Sequence, residues 1–374
     1  MTHTSRREVI AHYRKEYRSA SKKHKTQLLE TITEVTGYSR KYAIELLKRP
    51  DPPPKRITRR RDSRYAHLVE ALQLVWMCAD CLCGKRLQAV MPLYVESLRR
   101  FGHLKIGASD AALLLQMSAA TIDRLLGPVR KKIGIRGVST TKPGSMLKNS
   151  IPMRTFAEWD QSKPGFLQID LVAHCGERNQ GEYINTLDMT DVCTGWTVCA
   201  AFMGKSFNYC SEALAENKHL FPFEILGIHS DNGGEFINAH LQNFCQLNKL
   251  TFTRNRPYKK NDSCYVEQKN WDVVRKKIGY GRFDQRWQLK IINEIYATLA
   301  LYQNYFQPSQ KLLNKHRDGA KLIRAHDVPQ TPAQRLIARD DIKLEVKRRL
   351  RQFTNNLDPY RLLKQIHDLL DQLA

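Results

Sequence analysis

The run Phe166-Leu167-Gln168-Ile169-Asp170-Leu171-Val172 marks the point at which the hydrophobic period of this chain changes from helix to strand. Strand alternation puts Leu167, Ile169 and Leu171 on one face and Asp170 on the other, in the middle of a segment that otherwise reads as buried. A lone carboxylate there is costly, so it needs a cationic or hydrogen-bonding partner. Outward from this strand (166–173), two more are predicted over 183–189 and 196–202, and Asp188 and Asp191 are assigned to the turn after the second. A helix over 211–220, a strand over 223–229, a helix over 237–247, a strand over 250–254 and a helix over 265–278 follow. Three strands followed by alternating helices and strands mean a mixed α/β domain, placed at 161–285.

The flanks read as helical. In residues 1–49, Leu28, Leu29, Ile32 and Val35 repeat at helical spacing, Gly37 breaks the pattern, and Ser39 can cap a second helix carrying Ala43, Ile44, Leu46 and Leu47. Two short helices around a glycine turn predict a helix-turn-helix, with Arg40, Lys41 and Tyr42 at the start of the helix that enters a DNA groove. Residues 50–63 form a basic, proline-rich linker whose Arg59, Arg60 and Arg61 suit a minor groove. A second helical DNA-binding domain is placed at 64–133. Its last part, 109–126, offers another helix-turn-helix, with Ser118 as cap and Thr121 and Arg124 as DNA contacts. A second linker spans 134–160. The region 286–374 is predicted to be helical throughout, with Tyr302, Tyr305 and Phe306 in its core. Asp358-Pro359 opens a last helix whose Leu362, Leu363, Ile366, Leu369, Leu370 and Leu373 pack within the chain.

Composition narrows the function. Among 374 residues, 61 Lys and Arg against 37 Asp and Glu leave a net charge of +24, and residues 1–63 alone carry 17 cations against 7 acids. Such an excess repels itself in a compact state, and a polyanion is the usual compensating partner. No helix combines a basic face with a large exposed apolar one, and no run approaches the length of a membrane span, so nucleic acid is favoured over a membrane and a cytoplasmic protein is expected. The nine cysteines are odd in number and mostly scattered through apolar segments, which suits reduced thiols. Cys78, Cys81 and Cys83 cluster inside a helix-like run (68–87) without a second ligand pair, so no structural zinc is expected.

Two further acids complete a pattern with Asp170. Asp231 ends the strand that contains Ile228 and His229 and is followed by Asn232-Gly233-Gly234, a turn that admits close approach of a ligand. Glu267 forms a stripe with Trp271, Val274 and Ile278 at 100° per residue, which predicts an inward-facing glutamate near a helix N-terminus. A strand-centre Asp, a strand-end Asp and a helix Glu can converge beside one sheet. Their oxygens suit Mg²⁺ or Mn²⁺, and two such ions would clamp a phosphodiester for in-line displacement. His174 and His229 flank these acids and are assigned to packing or hydrogen bonding.

Asp170, Asp231 and Glu267, with 35 residues between the last two, resemble the D,D(35)E signature of DDE transposases and retroviral-type integrases. The strings Ile169-Asp170-Leu171, Ser230-Asp231-Asn232-Gly233-Gly234-Glu235-Phe236, Tyr265-Val266-Glu267-Gln268-Lys269 and Thr190-Asp191-Val192-Cys193-Thr194-Gly195-Trp196 are similar to those of bacterial insertion-sequence transposases in that superfamily. The resemblance covers about residues 155–285. It implies a ribonuclease H-like core with two divalent ions per active site, Asp170 bridging both and Asp231 and Glu267 each completing one shell. It further implies 3′-end cleavage and strand transfer of element ends into target DNA, terminal inverted repeats as partners, and a homodimer or higher oligomer on DNA, nucleoid-associated in a bacterial cytoplasm.

The sequence departs from the family pattern in the absence of the His-His-Cys-Cys zinc module of retroviral integrases and at two positions near the glutamate. The position seven residues after the glutamate, often Lys or Arg, is Val274, and Arg275 beside it is the candidate substitute. The loop before the glutamate carries Asn261-Asp262 rather than Asn-Gly. Lys259, Lys260 and Asn261 in that loop, with Lys269 and Arg275, are the expected DNA contacts near the acids. Two other functions fit the same features: a DNA-binding regulator derived from a transposase, and a metal nuclease of this fold that cuts without joining.

Overall fold

The computed structural model describes residues 3–50, 64–133, 162–204, 206, 208–230, 236, 239–254, 264–318 and 321–373. The chain divides into two compact units, Met1–Asp62 and Ser63–Ala374. The first holds α1 (His3–Ser19), α2 (Lys22–Thr36) and α3 (Arg40–Lys48) around Ile10, Tyr17, Leu28, Leu29, Ile32, Ala43 and Leu47. Gly37 ends α2 in the left-handed region at φ 67°, which is cheap only for glycine. Ser39 then caps α3 by accepting from the Tyr42 amide at 3.4 Å. The expected helix–glycine–cap–helix arrangement is present, and Arg40, Lys41 and Tyr42 are exposed on the first turn of α3.

The second unit opens with α4 (Val69–Cys78), α5 (Gly84–Arg100), α6 (Ala108–Leu115) and α7 (Ala119–Ile133). The cysteine cluster does not lie within one helix, as its hydropathy suggested. Here α4 stops at Cys78, Asp80 and Cys81 adopt φ of 54° and 58°, and Cys83 caps α5. At Gly84 the chain crosses α7 so closely that a Cβ would sit 2.4 Å from the Ala119 carbonyl. Asp123 of α7 accepts from the Gly84 amide at 2.9 Å. In α7 the Ser118 cap forms as expected, Thr121 is half-buried and Arg124 exposed.

The core sheet follows, from β1 (Phe166–Ala173), β2 (Ile184–Asp191) and β3 (Thr197–Met203) through α8 (Tyr209–Asn217), β4 (Gly227–Ser230), α9 (Ala239–Leu247) and β5 (Thr251–Arg254). The strand order is β3-β2-β1-β4-β5, with β1, β2 and β3 antiparallel and β4 and β5 parallel to β1. Next come α10 (Cys264–Lys269), a π-helical turn (Asn270–Arg275), α11 (Lys276–Ile278) and α12 (Arg286–Phe306). As an edge strand, β3 would leave backbone groups unpaired. The amides of α12 satisfy them: Asn304 accepts from the Thr197 N–H at 2.9 Å and donates to its carbonyl at 2.7 Å, and Asn293 does the same for Ala201 at 2.9 and 3.0 Å.

The region after α12 is not wholly helical. An antiparallel hairpin, β6 (Leu312–Asp318) and β7 (Lys321–His326), precedes α13 (Pro332–Ile337), α14 (Leu344–Asn356) and α15 (Pro359–Leu373). The closing stripe packs within the chain as expected, with Leu362, Leu363, Ile366, Leu369 and Leu373 buried and α15 lying on α12. Tyr302, Tyr305 and Phe306 are also buried. Buried hydroxyls tie α12 to the α4–α5 layer: Tyr302 donates to the Cys78 carbonyl at 2.8 Å and accepts from Gln307 at 2.8 Å. Asp80, at the α4–α5 break, takes ion pairs from Lys277 at 2.9 Å and Lys276 at 3.4 Å. Burial works against its ionisation, yet the two lysines hold its carboxyl below the ordinary range.

Candidate active site

Asp170 stands at the centre of β1, half-buried, on the face that α10 covers. Its Oδ1 accepts from the Leu171 amide at 2.8 Å, and its Oδ2 accepts from Asn270 Nδ2 at 2.6 Å. The expected partner of the strand carboxylate is therefore an amide donor from the π-turn. Two residues earlier on the same face, the fully buried Gln168 offers Oε1 to the Val266 amide at 3.2 Å. That amide lies in the first turn of α10, where helical donors have no partner within the helix. Gln168 thus pins the helix start to the strand that carries Asp170. Glu267 and Asn270, three residues apart, lie on one helix face with Cβ atoms about 5–6 Å apart.

Two expectations about this helix are corrected. Glu267 is exposed rather than inward, and Trp271 is 44% exposed. The buried positions are Val266, Lys269, Val273, Val274 and Ile278. The wider π-turn from Asn270 to Arg275 alters the phase that a uniform 100° wheel assumes. Lys269, expected at the DNA surface, is buried at 8% exposure. Burial pulls its pKa down, opposed by the charges of Asp272 and Asp188. Arg275 is half-buried and committed, donating to the Ala173 carbonyl at 2.9 Å with its guanidinium 4.9 Å from the Tyr280 ring centre.

Asp188 is likewise not in a turn. It lies inside β2, directly opposite Asp170 on one side and Cys199 on the other, so the three side chains share a sheet face. Burial pushes its carboxyl up to about 7; Thr190, donating at 2.9 Å, and the Lys269 charge oppose that rise, and the Asp170 charge adds to it. Asp191 does close a turn: it accepts from the Thr194 amide at 2.7 Å, the Thr194 hydroxyl at 2.6 Å and the Gly165 amide at 2.9 Å. His174 and His229 act in hydrogen bonding as expected, His174 to the Thr186 hydroxyl and His229 to that of Thr253, both at 2.8 Å. Burial brings the His174 pKa down to about 4, with Arg275 adding to the effect.

Ser230 is the last described residue of β4, and Asp231 follows it outside the described residues. Arg59, Arg60, Arg61, Lys259, Lys260 and Asn261 also lie outside them. Among the described residues, no three His, Cys, Asp or Glu side chains gather as a metal site. The oxygens beside Asp170 nonetheless fit a hard cation. Asn270 Oδ1 and Asp188 Oδ2 are both buried with no hydrogen-bond partner among the described residues, and carboxylate and amide oxygens are ligands of the class magnesium prefers.

Residues 160–260 match the family model described as the integrase core domain. The chain is also 36% identical over 334 residues to the uncharacterized protein y4rM of Sinorhizobium fredii, a match covering 88% of this chain and 95% of that one. This chain belongs to the integrase-core family. Among solved structures, the integrase core is similar to the catalytic core domain of HTLV-2 integrase in complex with magnesium, with 14% identity, a TM-score of 0.30, and 39% of this chain and 90% of that one covered. It is also similar to the catalytic core domain of BIV integrase, with 13% identity, a TM-score of 0.30, and 46% and 91% covered. Asp170 lies within the matched residues, and Glu267 and Asn270 follow them in the chain.

Proposed function

We propose that this integrase-core protein is a DNA transposase that cleaves the 3′ ends of its element and transfers them to target DNA. The observation that carries the reading is the Asp170 carboxylate, held at 2.6 Å by Asn270 on the same helix face as Glu267. We assign Asp170, Asp231 and Glu267 as the carboxylates that hold two Mg²⁺ or Mn²⁺ ions. When bound, such ions neutralise the phosphodiester and stabilise the attacking and leaving oxygens. The chain's own residues do the positioning. Gln168 fixes the start of α10, and Asn270 fixes the rotation of the Asp170 carboxylate.

In the first step a water oxygen bonds to phosphorus, the bond to the 3′ oxygen breaks, and that oxygen leaves with a proton as a 3′-hydroxyl. In the second, this hydroxyl attacks a target phosphate and displaces another 3′ oxygen. One phosphodiester forms as one breaks, so no nucleotide cofactor and no protein–DNA bond are needed. The exposed Arg40, Lys41 and Tyr42 on α3, with Thr121 and Arg124 on α7, are assigned to element-end recognition as helix-turn-helix contacts. The +24 charge supports DNA as partner, and joining two ends implies a dimer or larger assembly. No described helix is long and apolar enough to cross a membrane. We place the protein in a bacterial cytoplasm, on the nucleoid when DNA-bound.

The test is incubation of purified protein with Mg²⁺ or Mn²⁺, its own element ends and a plasmid. Joined product from the wild-type chain, and none from Asp170→Asn with end binding retained, is the expected result. Hydrolysis without joining would replace the transposase with a nuclease. Binding with neither reaction would replace it with a regulator.

A further inference from the structure

The hairpin β6–β7 has no core of its own. Leu313, Asn314, His316, Arg317 and Ile323 to His326 are all exposed, Leu313 at 69% and Ile323 at 44%, and Leu322 is half-buried. A two-stranded ribbon is at best marginally stable alone, so it must be held at its stem. Lys311 and Asp327 do this. Asp327 accepts from the Lys311 amide at 2.6 Å and from Arg335 at 2.5 Å, and its own amide donates to the Lys311 carbonyl at 3.0 Å. Lys311 Nζ donates to the carbonyls of Val192, at 2.9 Å, and Cys193 in the β2–β3 turn. The result is a rigidly rooted arm with both faces in solvent.

Its charge is arranged by register. Arg324 pairs with Lys315, and Arg317, two residues beyond Lys315, pairs with Leu322, so Arg317 and Arg324 share a face. His316, opposite Ile323, and Asn314, opposite Ala325, belong to the other. Neither Arg317 nor Arg324 makes a hydrogen bond or ion pair among the described residues. The ribbon is about 20 Å long with strands about 4.8 Å apart. A major groove roughly 12 Å wide admits a two-stranded ribbon without deformation of the duplex, whereas a minor groove of about 6 Å has to be widened first. Pairing with a second copy would bring the same cations together, so a polyanion is the complementary partner.

We propose that β6–β7 lies in the major groove of duplex DNA, with Arg317 and Arg324 on backbone phosphates. The inference rests on the DNA reading above. The stem at Val192 is four residues from Asp188, the partner of Asp170, or about 14 Å along β2.

The test measures binding of a 30-base-pair duplex by the full chain across a salt series, using fluorescence anisotropy. Removing two phosphate contacts in Arg317→Ala/Arg324→Ala reduces the salt slope by about 1.8, so between 50 and 200 mM salt the wild type loses about 12-fold more affinity than the variant. The lysine pair Arg317→Lys/Arg324→Lys keeps the wild-type slope. An alanine variant with unchanged slope and affinity overturns the arm while leaving the DNA reading intact, and a wild-type chain that binds no duplex overturns both. If sedimentation without DNA shows that the alanine variant has lost self-association while its DNA binding is unchanged, the ribbon is a protein-pairing arm and the proposal fails.

Discussion

Asn270→Ala removes a side chain that orients Asp170 from across the site. The bond is short, 2.6 Å, and its acceptor is a carboxylate, so it belongs to the charge-assisted class worth about 1.5–3 kcal/mol. If that energy goes into holding the carboxylate in its reactive rotation, the barrier rises by the same amount. At about 1.36 kcal/mol per decade, joining slows roughly 10- to 150-fold. The assay is single-turnover joining of pre-cleaved element ends, run beside end binding and thermal melting on the same variant. Asn270 is half-buried and off the main core, so melting and end affinity stay near wild type. Asn270→Asp slows joining further, since it places a like charge against Asp170. A joining rate within two-fold of wild type for Asn270→Ala would show that Asp170 needs no such support, and the positioning argument would fall.

Other outcomes follow from the same structure. Asn304→Leu leaves the Thr197 amide and carbonyl unpaired on the edge of β3 and should cost about 2–4 kcal/mol in denaturant unfolding; a cost below about 0.5 kcal/mol would mean that α12 does not guard that edge. Lys269→Met removes a charge that favours the ionised Asp188 and should destabilise the fold, less when combined with Asp188→Asn, with no change in the salt slope of DNA binding. A reduced slope would restore Lys269 as a phosphate contact. His174 titrates at about 4 when folded against about 6.5 unfolded, so between those values the unfolded chain binds more protons and stability falls on acidification. The difference between wild type and His174→Phe should change by on the order of 3 kcal/mol from pH 7 to pH 4; a constant difference would remove His174 from the acid response.

What the sequence revealed depended on whether the signal was local. The β1 alternation around Asp170, the Gly37–Ser39 junction and the Leu362–Leu373 stripe are each carried by neighbours in the chain, and the structure has them where the pattern put them. Glu267 and Trp271 were misjudged because a wheel of fixed pitch has no place for the π-turn at Asn270–Arg275. The Lys269 charge acts on Asp188 because α10 packs over β2, a contact that no short window contains. The β6–β7 hairpin escaped notice for a different reason. With both faces in water, its residues carry no alternation of apolar and polar, so a strand there leaves no period-two trace.

The most direct test of the central claim is Mn²⁺ binding, followed by electron paramagnetic resonance, to the full chain in complex with its element-end DNA. The account predicts protein-bound Mn²⁺ in the wild-type complex and its loss in Asp170→Asn, Asp231→Asn and Glu267→Gln, each still holding DNA. Undiminished Mn²⁺ binding in all three variants would contradict it.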